Sequence, residues 1–522
     1  MKRKYILPIL TIAGVLSCTS CNDYLDEMPD NRAELNTEAK IISLLVSAYP
    51  KNDYVMCAEM ASDNTDDYGE TNPYGGRFYE QLYNWMDVTE SNNESPARVW
   101  EACYGAIAAA NQALSAIEEM GNPASLNPAR GEALVCRAYG HFILVNIFSQ
   151  HYTKQYADKD LGITYMEKPE TALSPKYERG TVAQVYEKIE ADLLAGIPLI
   201  NDAIYSVPKY HFNMKAANAF ASRFFLYYQK WDEAIKYASL ALSSAPQTVL
   251  RNNVELAKLP RDPLAKVSTQ YISAAHKCNF LLLTAYSQLG TVYGAYYTGS
   301  RYAHGAVISK TETLQAEGPW GTYSANTFYL APWVYGGTNL DKVLLPRVPY
   351  LFEYTDPVAG TGYTRSVYTG FTAEETLLNR AEAYIMKKDY VNATADMKLW
   401  ADNTVKTGAK LTEASIEAWA NKFNYYTPTV PTPKKKLAPD FVIEEGKQEN
   451  FIQCLLFIRR HETMHSGLRW FDTKRYGIEL TRRIIQSGKV ASTGDVLKPR
   501  DNRCAMQIPA DVVAAGLTPN PR

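Results

Sequence analysis

Apolar residues recur at helical spacing over long parts of this chain. In residues 98–120 they fall three or four positions apart, and residues 132–148 repeat the pattern. Gly, Asn and Pro residues separate the two stretches, so they predict an antiparallel pair of amphipathic helices. Residues 33–49 predict an earlier helix and residues 182–194 a later one.

Two further helix pairs, in residues 212–244 and 372–404, share a set of side chains. In each, an arginine precedes a tyrosine by four positions, and an aromatic residue then precedes an alanine by three. Small residues where helices cross let the axes approach, as in tetratricopeptide repeats. Residues 98–150 and residues 182–200 each predict a further hairpin, which makes four in all. The sequence does not place the second helix of the hairpin in 182–200. The shared residues are Arg223, Tyr227, Trp231 and Ala234, then Arg380, Tyr384, Tyr390 and Ala393.

Other stretches lack this period. Residues 286–370 are rich in Gly, Tyr and Thr and predict long loops and short strands on a helical frame. Residues 426–449 are rich in Pro and Lys and predict a surface linker, and the tail is predicted to end without a helix. Residues 62–79 hold three closely spaced aspartates, and we favour a solvated turn over a calcium site because the spacing is not that of an EF-hand.

The N-terminus predicts export. Three basic residues precede an apolar run, residues 5–16, that is too short to span a bilayer, and small residues and cysteines follow. Cys18 lies where bacterial lipoproteins are cleaved and acylated, and acyl chains contribute roughly 0.8 kcal/mol per buried methylene. The alternative is an ordinary secreted protein with a cysteine near the cut. No later apolar run is long enough to span a membrane.

Composition excludes some functions. The 522 residues include 54 basic and 56 acidic side chains, which gives no basic excess for nucleic acid. The 38 tyrosines are the outlier, and their rings suit protein interfaces and sugar faces. The scattered cysteines do not support zinc. Residues 461–465 spell HExxH, but no third ligand is evident, so we interpret Arg459, Arg460, Arg469 and Asp472 as a structural ion network.

Four stretches together resemble the SusD/RagB family of outer-membrane nutrient-binding lipoproteins. The first resembles the family's mature start and favours Cys21 over Cys18 as the acylated residue, although the cleavage pattern favours Cys18. The second stretch resembles the family's first helical pair, and the third resembles a late repeat. The fourth resembles the family's C-terminal signature. The stretches are Cys21 to Asp26; Trp100, Tyr104, Ile107, Asn111, Glu132 and Arg137 to Tyr139; Glu375 to Tyr384; and Arg459 to Glu462, Gly467, Arg469 to Asp472, Lys474, Arg475 and Gly477, with Ile508-Pro509 and Asn520-Pro521.

This resemblance implies a mainly α fold, in which tetratricopeptide-like hairpins form a right-handed superhelical scaffold with an irregular, loop-rich face of short strands that binds ligand. It implies a lipid-anchored protein at the cell surface that captures oligosaccharides, without catalysis or a cofactor, as the lid of a TonB-dependent transporter. Some relatives take peptides instead. The implied organisation is a signal peptide (1–20), a tether (21–32), an N-terminal region (33–285), the loop-rich insert (286–370) and a C-terminal region (371–522).

Capture of sugar needs flat apolar rings beside hydrogen-bonding groups. Two loop stretches combine them, and we predict that a subset of their side chains binds the ligand. A surface glycoside hydrolase is an alternative, but no sequence feature pairs two carboxylates. A pure assembly protein with no ligand is another. The candidate residues are Asn72, Tyr74, Arg77, Tyr79 and Trp85, and then Tyr296, Tyr297, Arg301, Tyr302, Trp320, Tyr323 and Trp333.

Overall fold

The structure is a computed structural model that describes residues 35–172, 175–262, 265–296, 298–337, 340–406 and 410–522. The predicted signal peptide and tether, both early cysteines and Tyr297 lie outside these residues. The predictions about them therefore stay predictions. Among the described residues no helix is long and apolar enough to cross a membrane.

Helices dominate the N-terminal half, and the predicted first pair is confirmed. Ser95 caps its first helix by accepting from the Arg98 backbone N–H. The two helices lie close together, because a Cβ at Gly140 would be 2.8 Å from Ile107 Cγ1. The helices of this half are α1 (Glu38–Leu44), α2 (Val55–Ala61), α3 (Arg77–Tyr83), α4 (Pro96–Glu119), α5 (Asn127–Phe148), α6 (Val182–Gly196), α7 (Met214–Tyr227) and α8 (Trp231–Leu242).

Helix α6 was predicted as half of a hairpin with an unplaced partner, and that partner is α5. The two helices are joined by an ion pair in which Arg137 Nε and Nη2 lie 2.7 and 2.6 Å from the Asp192 carboxylate. A capping box of Thr181 and Gln184 starts α6. Helices α4, α5 and α6 therefore form one three-helix layer rather than two separate hairpins.

The two predicted repeat pairs are also confirmed. Helix α8 packs against a later helix, α13 (Ala373–Met386), and α14 (Tyr390–Thr404) completes its hairpin. The shared arginines play similar parts, since Arg223 pairs with Glu375 on α13 and Arg380 pairs with Asp396 on α14, each through two contacts of 2.6–2.8 Å. The remaining helices are α9 (Asn253–Ala257), α10 (Ala265–Tyr271), α11 (Leu289–Val292), α12 (Ala306–Glu312), α15 (Glu413–Lys422), α16 (Lys447–Glu462), α17 (Leu468–Arg475) and α18 (Ala510–Ala514).

The insert is more regular than predicted, because a strand of twelve residues, β7, pairs with both β2 and β6. A second sheet has the order β3-β1-β8-β9, and β4 pairs with β5. The tail also contains a short helix, α18, where none was predicted. The strands are β1 (Asp66–Asp67), β2 (Asn279–Tyr286), β3 (Tyr302–Ala303), β4 (Trp333–Tyr335), β5 (Lys342–Leu344), β6 (Leu351–Asp356), β7 (Thr361–Thr372), β8 (Leu480–Gln486) and β9 (Lys489–Leu497).

The three aspartates of the predicted solvated turn are paired with arginines, so that prediction is wrong. Asp66 and Asp67 are buried and Asp63 is half-buried. Each carboxylate receives two hydrogen bonds from one guanidinium, at 2.7–3.0 Å. The expectation failed because charged residues in a sequence suggest solvent, whereas each partner here is more than 200 residues away. The pairs are Asp63 with Arg469, Asp66 with Arg483 and Asp67 with Arg301.

The carboxylates of Asp63 and Asp66 belong to a larger buried cluster around Glu312, which we call the Glu312 network. Lys435, Arg460 and Arg483 lie 2.5, 3.2 and 2.8 Å from its carboxylate. Burial alone would raise the pKa of Glu312, but these cations hold it at about 2. Lys435 comes from the predicted surface linker, so part of that segment is buried. The Arg459–Asp472 pair, at 3.1 Å, confirms the predicted ion network of the C-terminal signature.

We expect Glu312→Gln to lower the free energy of unfolding by about 3–5 kcal/mol, because it removes the carboxylate that three buried cations share and leaves only Asp63 and Asp66 to balance them. Urea unfolding followed by circular dichroism measures this loss. Glu353→Gln is the matched control, since Glu353 pairs with an arginine at the surface. Its loss should stay below about 1 kcal/mol. Equal losses in the two variants would show that the network is not a special source of stability.

Candidate functional site

The two predicted ligand stretches meet at one place. Tyr74 N–H donates to the Gly299 carbonyl and Arg301 N–H to the Tyr74 carbonyl, both at 3.0 Å. The buried Asn72 side chain donates to the Ser300 carbonyl at 2.8 Å. Asn72 is therefore a positioning residue that fixes one loop against the other. Two segments more than 200 residues apart in sequence thus form one surface.

Arg301 connects this surface to the interior. Its guanidinium donates to both carboxylate oxygens of Asp67, at 2.9 and 3.0 Å, and these hydrogen bonds raise the pKa of Arg301. Its carbonyl accepts from Tyr68 N–H at 2.7 Å. Because the neighbouring Asp66 is paired with Arg483, the surface is anchored to the Glu312 network.

A cleft of about 250 Å³ opens between the two segments. Tyr74 is 46% exposed at its rim, Tyr79 is half-buried, and Tyr302 is buried with its ring 4.8 Å from that of Tyr83. Burial raises the pKa of Tyr302, so its hydroxyl stays neutral. The cleft is lined by Met60, Pro73, Tyr74, Gly75, Tyr79, Gln288, Val292, Ser300 and Tyr302. Aromatic faces beside an amide and a hydroxyl suit a neutral ligand with both C–H faces and hydroxyl groups.

The far wall of the cleft, which begins at Gln288 and includes α11, is held by buried charged groups. The Glu94 carboxylate accepts from Gln288 N–H, and burial raises the pKa of Glu94 to about 7. The Lys342 ammonium donates to the Val292 carbonyl at 2.6 Å and to the Gly294 carbonyl, and burial lowers its pKa to about 7. The wall is therefore fixed by side chains from α4's N-terminal flank and from β5.

Three predicted residues lie away from the cleft. The Trp320 ring packs 5.8–5.9 Å from Phe328, Trp400 and Phe457, and Tyr323 lies 6.2 Å from Phe328. Trp333, on β4, has the Arg261 guanidinium 4.8 Å above its ring. The structure thus places Trp320 and Tyr323 against the helical core.

Two residues of the first stretch are also outside the cleft. Trp85 is buried, donates from Nε1 to the Ala61 carbonyl at 2.8 Å, and has the Arg482 guanidinium 3.9 Å above its ring. It lines a larger cavity of about 630 Å³ between α3 and the C-terminal tail. Arg77 is exposed at the first turn of α3. Because the Trp85 ring is buried and has a guanidinium on one face, we prefer the smaller cleft as the candidate site.

Sequence reasoning missed Gln288, Ser300 and the supporting Glu94, because no spacing or composition distinguishes them. One indirect signal existed in Gly290 and Gly294. A Cβ at either position would collide with the backbone of residues 348–350, so both glycines mark a close approach beside the cleft wall.

The HExxH sequence does not form the zinc-binding arrangement of two histidines on one helix. Helix α16 ends at Glu462, and His465 has a φ of 63°, so the histidines do not share a helical face. His461 packs 4.4 Å from Phe328, His465 stacks 4.7 Å from Tyr293, and burial lowers the pKa of both. In the described part of the chain no cluster of His, Cys, Asp and Glu has a metal-binding arrangement.

The fold is a helical-repeat scaffold with a loop-built cleft, and comparison with known proteins shows what it resembles. Residues 23–226 match a SusD-like family model described as "Starch-binding associating with outer membrane". No curated protein sequence matches the chain. Residues 23–226 therefore resemble this family, and the structural similarities below extend the likeness in fold to most of the chain.

Solved structures share the fold over most of the chain. A SusD superfamily protein from Bacteroides thetaiotaomicron has a TM-score of 0.61 and 17% identity, with 92% of this chain and 98% of that chain covered. A SusD superfamily protein from Bacteroides fragilis has a TM-score of 0.61 and 18% identity, with coverage of 91% and 96%. A SusD-like carbohydrate binding protein from Bacteroides vulgatus has a TM-score of 0.63 and 14% identity, with coverage of 91% and 96%.

We expect Arg301→Met to loosen the cleft, because it leaves Asp67 buried without its partner. Amide hydrogens of residues 68–74 should exchange about tenfold faster or more, as measured by mass spectrometry. Arg261→Met is the matched control, since Arg261 contacts Trp333 and not the cleft. Unchanged exchange in residues 68–74 of the Arg301 variant would contradict the anchoring role.

Proposed function

We propose that this protein is a non-catalytic glycan receptor at the cell surface that captures oligosaccharides and delivers them to a partner TonB-dependent transporter as its lid. The observation that carries the proposal is the cleft between residues 72–79 and 288–302, where tyrosine rings lie beside an amide and a hydroxyl. The starch-binding description of the matching family and the carbohydrate-binding relative support a sugar as the ligand.

Capture follows from the side chains that line the cleft. Tyr74 and Tyr79 offer ring faces on which the C–H face of a pyranose stacks. Gln288 and Ser300 offer hydrogen bonds to hydroxyl groups that would otherwise lose their water without replacement. A few such contacts give an affinity of about micromolar to millimolar Kd, weak enough for release to a transporter.

Catalysis has less support. A glycoside hydrolase needs two carboxylates that flank the ligand. Two carboxylates near the far wall, Glu94 and Asp53, are buried and accept backbone N–H groups from Gln288 and Val55. Their geometry supports a structural role behind the wall rather than contact with substrate.

We expect Tyr74→Ala and Tyr79→Ala each to weaken glycan binding roughly five- to tenfold, because each removes one stacking face. Calorimetry with a panel of glycans, starting with soluble starch, measures the affinity. Tyr425→Ala is the matched control, because Tyr425 is 44% exposed but contacts Glu449 and Lys434. Trp320→Ala should lower stability and leave the affinity unchanged.

Unchanged affinity in both cleft variants would place the site elsewhere. Binding of peptides but of no glycan would favour the peptide-receptor alternative. Release of products from a glycan would support the alternative that the protein is a glycoside hydrolase. If the wild-type protein binds neither glycans nor peptides but still co-purifies with a barrel, an assembly role is favoured.

We expect Cys21→Ala to release the protein from the membrane, because acyl chains on that thiol would anchor it. Cys18→Ala is the matched control and should leave the protein attached. Membrane fractionation and incorporation of labelled fatty acid measure the two outcomes. The reverse result would assign the anchor to Cys18, and attachment of a variant that lacks both thiols would contradict lipid anchoring.

A further inference from the structure

The hairpin of β6 and β7 carries a row of aromatic rings on one face. Phe352 and Tyr354 occupy alternate positions of β6, so they point to the same side about 7 Å apart. Their centroids lie 4.8 Å apart with the rings at 67°, and Tyr354 is 58% exposed. Tyr350, one residue before β6, continues the alternation. None of these three residues was selected from the sequence.

The opposite face of the hairpin has a different character. Strand pairing places Glu353 opposite Tyr363 and Leu351 opposite Arg365, and Glu353 and Arg365 form an ion pair. On the aromatic face the partners are neutral and small, since Phe352 is opposite Thr364 and Tyr354 is opposite Gly362. A Cβ at Gly362 would lie 2.9 Å from Cε1 of the Phe352 ring, so this ring packs directly over the glycine. The Glu353–Arg365 ion pair therefore lies on one face of the hairpin, and Phe352 and Tyr354 lie on the other.

The foot of the hairpin packs against the segment that forms the far wall of the candidate cleft. The Tyr350 ring is stacked on that of Tyr296, with centroids 4.4 Å apart and planes within 11°. Tyr296 belongs to the same segment as Gln288 and Val292, which line the cleft. Gly290 of that segment packs closely against the Pro349–Tyr350 backbone. One chain segment thus joins the cleft wall to the foot of the hairpin.

We propose that the Tyr350, Phe352 and Tyr354 row is a second carbohydrate-binding face that takes the continuation of an extended, neutral glycan whose end occupies the cleft. This inference rests on the proposed function and specifies its ligand as a polymer rather than a short oligosaccharide. A neutral sugar fits these rings, because the residues opposite Phe352 and Tyr354 are the uncharged Thr364 and Gly362. The rings offer roughly 300 Å² of surface, which is small against the roughly 800 Å² per partner of a stable protein interface.

The test compares short and long chains of one glycan that the wild-type protein binds. Tyr354→Ala and Phe352→Ala should each weaken binding of the polymer roughly five- to tenfold and leave binding of a di- or trisaccharide unchanged. Tyr363→Ala is the matched control, because Tyr363 lies on the same hairpin at 53% exposure but on the opposite face. Tyr74→Ala should weaken short and long chains alike.

Several outcomes would overturn the proposal. If both hairpin variants bind the polymer as tightly as the wild-type protein while Tyr74→Ala still weakens binding, the second binding face is disproved. The proposed function then still stands. An equal loss in Tyr363→Ala shows a general effect of the hairpin. Intact glycan binding with loss of co-purification with a barrel assigns the face to protein docking. A wild-type protein that binds no glycan of either length removes the proposed function, and this inference with it.

Discussion

The Glu312 network is the interaction on which the rest of the structure depends. It brings together the loop after α2, the end of α12 and cations from the C-terminal quarter of the chain, including Lys435, Arg460 and Arg483. Charges taken out of water are costly unless every partner is in place. Apolar packing tolerates small shifts, whereas paired carboxylates and guanidinium groups accept only a narrow range of positions. The network therefore fixes the relative positions of segments that the helical hairpins do not connect.

The cleft is a consequence of that constraint. Asp66 faces inward to the network, and the next residue, Asp67, faces outward to Arg301, so one short strand links the buried charges to the ligand surface. The loops of the surface need little hydrophobic core of their own, because backbone pairing with residues 299–301 holds them. Rings such as Tyr74 can then stay exposed without the loop collapsing onto them.

The helical frame was predictable from the sequence because helical period is a local property. The first helix pair and the repeat pairs around Arg223 and Arg380 were predicted within a few residues of their observed bounds. The charged segments were not predictable, since Asp63 and Lys435 resemble solvated residues until partners hundreds of residues away are known. The aromatic residues were only partly assignable for a related reason. A Gly-rich segment leaves both Tyr296 and Trp320 without a periodic environment, yet one ring is exposed and the other packs on α14 and α16.

Exposure of rings separates the two kinds of aromatic residue in the insert. Trp320 contributes to the core, and its loss would be felt as stability. Tyr296 and Tyr354 are each 58% exposed, so they add little to the free energy of folding. Their exposure therefore favours a role in binding. Both lie on segments fixed from behind, Tyr296 by the backbone contacts of Gly290 and Tyr354 by the ladder between β6 and β7. Exposed rings on rigid support suit stacking on a sugar, because little conformational entropy is then lost on binding.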